Sequence, residues 1–166
     1  IEGLRLQRNP KVLELGCGNG KNTIYLTEKR FKVYCLDISK KAVILAKKRA
    51  PTGHFIVADA AEIPFIKGYF DVIIDVGLFH CIPIRKRKYV KEEILRVLKS
   101  KGYYILRTFL RSPVHPVHKP IFYVNTDQIS ITKERTLSRQ QFPVWAFNLD
   151  QIRSGFSKNF KIIHKL

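Results

Sequence analysis

Glycine occupies every second position in Gly16-Cys17-Gly18-Asn19-Gly20, directly after the run Val12-Leu13-Glu14-Leu15. Glycines spaced this way let a backbone turn sharply and come close to a ligand. The N–H groups of such a turn, with the start of a following helix, can hold an anionic group such as a carboxylate. Dinucleotide sites also use glycine turns, but they favour Gly-x-Gly-x-x-Gly, whose third glycine serves helix packing under a pyrophosphate. Here the spacing is Gly-x-Gly-x-Gly, and Glu14 lies two positions ahead of the first glycine. Its carboxylate could cap or salt-bridge near the loop, or orient an ammonium or the loop itself.

Three more acids close apolar runs: Asp37 after Phe31 to Leu36, Asp59 after His54 to Ala58, and Asp75 after Phe70 to Ile74. Aspartates often end strands as turn formers, which is the alternative reading of Asp37 and Asp59. His80 follows shortly after Asp75 and could accept a proton, since an ordinary imidazole pKa of about 6.5 suits exchange near neutrality. Packing is its alternative, and packing is also the reading of Cys81, which precedes Ile82-Pro83. Ile38 is an apolar residue beside Asp37, suited either to the flank of a flat ring or to the core. No metal site is expected: His115 and His118 could share an ion on a helix, but Pro113, Pro116 and Pro120 argue against that helix. Cys17, Cys35 and Cys81 lack Cys-x-x-Cys spacing and read as reduced structural thiols. Phe142, Trp145 and Phe147 would wall an acceptor pocket or fill a local core.

The elements that must position these residues alternate. Val12 to Leu15 reads as a strand that meets the glycines, and Thr23 to Leu26 resumes with helical spacing. Phe31 to Leu36 predicts a second strand, and Ser39 is a candidate N-cap for a basic helix through Arg49. Strands are expected at 54–58 and 70–74, a helix over Arg87 to Lys99 ended by Gly102, and a fifth strand at Tyr103 to Leu106. Strands separated by helices imply right-handed βαβ units and a mostly parallel sheet covered on both faces. In such sheets ligands bind beyond the carboxyl ends of the strands, the edge at which every loop and acid above is expected. Prolines break the pattern from Arg111 to Phe147, which reads as an insertion or cap. Leu149 to Phe156 then looks helical, and Phe160 to Ile163 looks like a further strand.

The segment Val12 to Gly20 resembles the first signature motif of class I S-adenosylmethionine-dependent methyltransferases. Three more segments agree in order. Asp37 stands where that family has the acid that binds both ribose hydroxyls, and Asp59-Ala60-Ala61 where an aspartate and the next N–H meet the adenine. Phe70-Asp71-Val72-Ile73-Ile74-Asp75, followed by Val76 to His80, resembles the strand that reaches the transferred methyl. Tyr89, Glu93 and Arg96 to Tyr103 resemble the helix and turn before the fifth strand.

The resemblance implies a Rossmann-like α/β three-layer sandwich, with S-adenosyl-L-methionine held by Glu14, Gly16, Gly18, Gly20, Asp37, Ile38, Asp59, Ala60 and Asp75. His80 is the candidate catalytic residue. The implied reaction moves a methyl group to an N, O or S atom. The fourth-strand segment looks most like small-molecule enzymes of the thiopurine and tellurite methyltransferase type, so a small-molecule acceptor is expected. It departs from the Asn/Asp-Pro-Pro-aromatic pattern of amino methyltransferases acting on bases. The family usually has a sixth strand, an antiparallel seventh, and often a helix before the first motif, elements that build the acceptor pocket.

The chain has 166 residues, and 31 Lys plus Arg against 13 Asp plus Glu give a net charge of +18. That length fits one ordinary domain, 1–166, with the insertion at about 111–147. So basic a surface attracts polyanions, which keeps nucleic acid open as a partner and an RNA or protein methyltransferase, or a non-catalytic nucleic-acid-binding domain, as alternatives. A lysine-rich solvated surface is the other reading, favoured by the interspersed placement of the charges. No run approaches the roughly 20 apolar residues of a membrane span, and no basic-then-apolar leader opens the sequence. A cytoplasmic protein without a membrane partner is therefore expected, and the residues say nothing of its oligomeric state.

Overall fold

The computed structural model describes residues 4, 6–110, 122–125 and 149–160. Two compact units divide the chain, one of Ile1–Asp75 with Ile84–Tyr104 and one of Val76–Pro83 with Ile105–Leu166.

The first unit is built on β1 (Lys11–Leu15), β2 (Lys32–Asp37), β3 (His54–Val57) and β4 (Phe70–Val76), joined by the start of β5 (Leu98–Leu110). Hydrogen bonding orders them β3-β2-β1-β4-β5. β1 pairs in parallel with both β2 and β4, with Leu15 opposite Leu36 on one side and Asp75 on the other. β3 pairs in parallel with β2, Val57 opposite Asp37. Val12, Leu13 and Leu15 of β1 are fully buried, as are Cys35, Val72 and Ile73 on its neighbours. Burial of consecutive residues on both faces is the mark of a parallel sheet flanked by helices, and it explains why these strands read as continuous apolar runs. Each fully buried Val, Leu or Ile contributes roughly 1.5–3 kcal/mol relative to exposure.

Helices α1 (Lys21–Glu28), α2 (Lys40–Arg49) and α3 (Ile84–Val97) supply the crossovers. Ser39 caps α2 as expected, its hydroxyl accepting from the Ala42 N–H at 3.3 Å. The turn into α1 is made by Gly20 at φ 78°, where a Cβ would lie 3.0 Å from the Cα of Ala46 on α2. A side chain there would push the two helices apart.

Three boundaries depart from expectation. Helix α3 begins at Ile84 and ends at Val97, ahead of Gly102, and β5 starts at Leu98. The carbonyls of Arg96 and Val97 accept from the N–H groups of Gly68 and Tyr69 at 2.9 and 2.8 Å, so the loop before β4 satisfies the end of the helix and draws the chain into the sheet. Gly102 makes a tight passage inside β5, where a Cβ would approach the Leu98 side chain at 2.8 Å. β4 also runs on through Val76, which places Asp75 inside the strand and not at its end.

In the second unit, the remainder of β5 pairs with β6 (Phe122–Asn125), antiparallel, with Arg107 opposite Asn125. The segment Phe79–Cys81 forms a 3-10 turn, and α4 spans Leu149–Phe156. The Phe79 and Phe156 rings lie 5.2 Å apart, which anchors that turn against α4. β6 falls within the expected insertion; the rest of that insertion, with His115, His118, Phe142, Trp145 and Phe147, lies outside the described residues, as do residues 161–163 of the expected last strand.

Among the described residues no helix is long and apolar enough to cross a membrane. No three His, Cys, Asp or Glu side chains among them are placed to hold a metal ion.

Candidate functional site

The glycine loop leaves β1 at the carboxyl edge of the sheet and is pinned to the end of β2. The Gly16 and Cys17 N–H groups both donate to the Leu36 carbonyl, at 2.7 and 3.2 Å. The Gly18 N–H then donates to Asp37 Oδ2 at 2.9 Å. Asp37 Oδ1 accepts from the Ser39 N–H at 2.9 Å, an Asx turn leading into α2. Asp37 therefore does what the turn-forming alternative describes and also ties the loop to β2. Each carboxylate oxygen can accept more than one hydrogen bond, so capacity is left for a ligand's hydroxyl groups.

Gly18 has φ 51°, and a Cβ built on it would meet nothing within 4 Å. Its hydrogen face thus borders open space, a place where a ligand can lie directly against backbone. That is the fit an anionic or polar group held by this loop requires.

Glu14 is 1% exposed and its carboxylate turns to α1. Its Oε2 accepts from the Thr23 hydroxyl at 2.5 Å and its Oε1 from the Asn22 amide at 3.0 Å. Both partners stand in the first turn of α1, so Glu14 orients the start of that helix. Burial raises its carboxyl above the usual 4.5, while the Thr23 and Asn22 hydrogen bonds act the other way. Thr23 also lies 3.3 Å from Cys35 Sγ, and hydrogen bonding with the Cys35 thiol, then burial, pushes the Cys17 thiol far up. These sulfurs are buried and free. Asn22 and Thr23 had no distinguishing signal in the sequence.

The end of β3 approaches the same place. The Ala58 N–H donates to the Asp37 carbonyl at 3.1 Å, which links the two strand ends. Asp59 Oδ1 then accepts from the Ala61 N–H at 2.9 Å, and its Oδ2 accepts from Lys86 Nζ at 2.9 Å. The Ala61 hydrogen bond first, and then the Lys86 ammonium, hold its carboxyl below the ordinary 3.8. Ala60 is buried at 5% exposure, whereas Ile38 is 69% exposed and so is no core residue. An isoleucine left in water next to Asp37 suits the flank of a planar ring.

Two supporting pairs were not legible as such. Glu93 and Arg96 of α3 form a short ion pair, Arg96 Nε to Glu93 Oε1 at 2.6 Å. Glu93 Oε2 accepts from the Ile63 N–H at 2.6 Å, and the Arg96 guanidinium donates to the carbonyls of Phe65 and Ile63 at 2.6 and 2.8 Å. Together they clamp the loop that follows Asp59. Asp75, fully buried, accepts from the Tyr104 hydroxyl at 3.2 Å, and burial first, then the Asp75 charge, raises the Tyr104 pKa well above 10.0.

His80 lies in the second unit and is 4% exposed, with Nδ1 3.4 Å from the Thr108 hydroxyl. Cys81 donates to the Gly77 carbonyl at 3.4 Å.

A family model described as a methyltransferase domain matches residues 12–102, which is more than half of the chain. An uncharacterized methyltransferase of Synechocystis is 34% identical over 107 residues, covering 64% of this chain and 50% of that protein. The 2-heptyl-1-hydroxyquinolin-4(1H)-one methyltransferase of Mycobacteroides abscessus is 32% identical over 121 residues, covering 66% of this chain and 53% of that protein. Among solved structures, a protein of Pyrococcus horikoshii superimposes with a TM-score of 0.59 at 29% identity, over 63% of this chain and 51% of that one. The chain thus spans between about a third and a half of the length of the curated relatives it matches. These matches agree with the Rossmann-like, mostly parallel sheet described above.

Proposed function

The chain belongs to the methyltransferase domain family, and from that premise we propose that its first unit binds S-adenosyl-L-methionine and that the protein transfers a methyl group to an N, O or S atom of a small-molecule acceptor. The observation that carries the reading is the join of the glycine loop to Asp37, with Gly18 open to space beside a carboxylate. Gly16, Gly18 and Gly20 would offer backbone to the amino-acid end of the donor. Asp37 would accept from the ribose hydroxyls. Asp59 and Ala60 would meet the base, with Ile38 along its flank.

When bound, the donor supplies an activated methyl on a sulfonium. The chain's own work is then to hold the donor in one orientation and to let an acceptor atom approach in line, which can supply much of the rate. Glu14 acts behind the loop through Thr23 and Asn22, and Asp75 acts from within β4, so both are read as positioning residues. A proton-accepting role for His80 belongs to the proposal on the acceptor side.

A small-molecule acceptor is supported by the fourth-strand pattern and by the name of the Mycobacteroides relative, whose acceptor is a quinolinone bearing a heptyl chain. RNA is the second reading, supported by the +18 charge; a steep fall of RNA affinity with salt would favour it. Calorimetric titration with S-adenosylmethionine and S-adenosylhomocysteine tests the donor site, with Asp37→Ala and NADH as controls. Saturable binding lost in the variant is expected. Absence of binding by the folded protein would overturn the reading.

A further inference from the structure

We infer that the first unit binds single-stranded nucleic acid at the amino edge of its sheet, the end of the strands opposite the glycine loop. Lysines flanking a cluster of aromatic rings are the residues that would hold it. This surface does not depend on the donor site.

Lys11 opens β1 and Lys32 opens β2, and the two are register partners on adjacent strands. Each ammonium stands over a tyrosine: Lys11 Nζ lies 3.8 Å from the centre of the Tyr69 ring, and Lys32 Nζ 5.8 Å from that of Tyr34. The two phenol hydroxyls meet at 3.0 Å. Like charges held side by side repel, and an anion lying between them removes that repulsion. The nearby carboxylate, Asp71, is already taken by Lys99 Nζ at 2.7 Å and by the Lys11 N–H at 2.9 Å. Among the described residues no ion pair engages Lys11, Arg30, Lys32, Lys67 or Lys101. Arg30 and Lys67, in the turns into β2 and β4, are exposed, as is Lys101 near the start of β5. Arg30 and Lys101 both hold φ 63°, a left-handed backbone that glycine adopts more easily. The chain therefore keeps basic side chains at this edge where backbone shape alone would favour glycine.

The rings complete the match. The connection from β3 to β4, residues 58–69, contains no helix, and its Phe65 and Tyr69 pack edge-on against Tyr34 instead. His54, exposed at the start of the edge strand β3, stacks on Tyr34 with ring centres 4.8 Å apart and planes 24° from parallel. Its other face is left for a base. A single strand offers both unpaired bases to stack and phosphates to meet ammonium groups. A duplex keeps its bases stacked inside, and an acidic peptide or an anionic lipid surface would use the charges but not the rings. The four steps from Lys11 to Leu15 separate this edge from the glycine loop by roughly 13 Å, at about 3.3 Å per residue. A strand held here is thus a partner docked away from that loop.

The full chain should bind a labelled oligouridine of about 12 nucleotides, read by fluorescence anisotropy, more tightly than a duplex of the same length. Lys32→Glu with Lys67→Glu should weaken that binding about tenfold or more, and should lower the slope of log affinity against log salt by about 1.4, for two lost phosphate contacts. The same charge change at the other edge, Lys40→Glu with Lys41→Glu, should cost less than about threefold. His54→Ala should cost about tenfold at an unchanged salt slope, the mark of one lost stacking contact. Lys32→Gln with Lys67→Gln gives the same order at a smaller size if the reversed pair does not fold. Equal losses from the two pairs of reversals would make the binding a property of net charge and overturn the inference. No binding of the oligouridine, or equal affinity for duplex, polyglutamate or phosphatidylserine vesicles, would overturn it too. Each of these outcomes leaves S-adenosylhomocysteine titration, the test of the donor site, unaffected.

Discussion

The Gly18 N–H and Asp37 Oδ2 meet at 2.9 Å across 19 residues of sequence, so the loop after β1 takes its shape from the end of β2. Glycines of this loop that face open space and those that face packing can be told apart by what a Cβ would meet. Gly18→Ala places a Cβ in open space at φ 51°, and Gly20→Ala places one 3.0 Å from Ala46 at φ 78°. The left-handed backbone costs an alanine about 1 kcal/mol in both. Gly20→Ala should lose a further 1–3 kcal/mol or so to overpacking, seen as a lower urea midpoint. Gly18→Ala should keep most of its stability and lose S-adenosylhomocysteine affinity by calorimetry.

Glu14 gives a pH signature. Its folded-state pKa lies above 4.5 because of burial, so the folded protein holds that proton more tightly than the unfolded chain does. Stability from this group is full below 4.5 and declines as pH rises through the folded value. Glu14→Gln cannot ionise, so its urea midpoint relative to the original should climb between pH 4.5 and 7. A difference flat across that range would count against a buried, raised Glu14.

Glu93 shows the opposite sign. The Arg96 hydrogen bonds, foremost, hold its carboxyl below 4.5, so its contribution is present above 4.5 and is lost as pH falls through the depressed folded value. Arg96→Met removes the guanidinium that bridges Glu93 to the Ile63 and Phe65 carbonyls and should cost about 2 kcal/mol. In chemical denaturation it should also flatten the acid limb of the stability profile. Amide exchange over residues 61–66 should quicken in the same variant, because the loop after Asp59 loses its clamp.

Tyr104→Phe takes one hydroxyl donor from the fully buried Asp75. Hydrogen bonds to charged groups contribute about 1.5–3 kcal/mol, so a loss of that order is expected in the denaturation midpoint. Affinity for S-adenosylhomocysteine should change little if Asp75 acts only by holding β4. A large loss of affinity with little loss of stability would instead place Asp75 against the ligand.

The order of strands and helices, the mostly parallel sheet and the glycine loop were legible in the sequence, because they depend on local causes. Continuous apolar runs mark doubly covered strands, Ser39 marks the start of α2, and alternating glycines mark backbone at positive φ. The same local reading misjudged the end of α3 and the position of Asp75, since both are decided by partners far along the chain: Gly68 and Tyr69 at the carbonyls of Arg96 and Val97, and β4 running on past Asp75 to Val76. Side-chain orientation was the larger gap. That Glu14 turns to Thr23, that Ile38 stands in water, and that Lys86 reaches Asp59 across 27 residues follow from sheet register and helix placement. A sequence alone determined which residues could do chemistry and on which edge of the sheet they fall. Only the tertiary structure decided which of them meet, because hydrogen bonds and burial act over a few ångströms of space and take no account of distance along the chain.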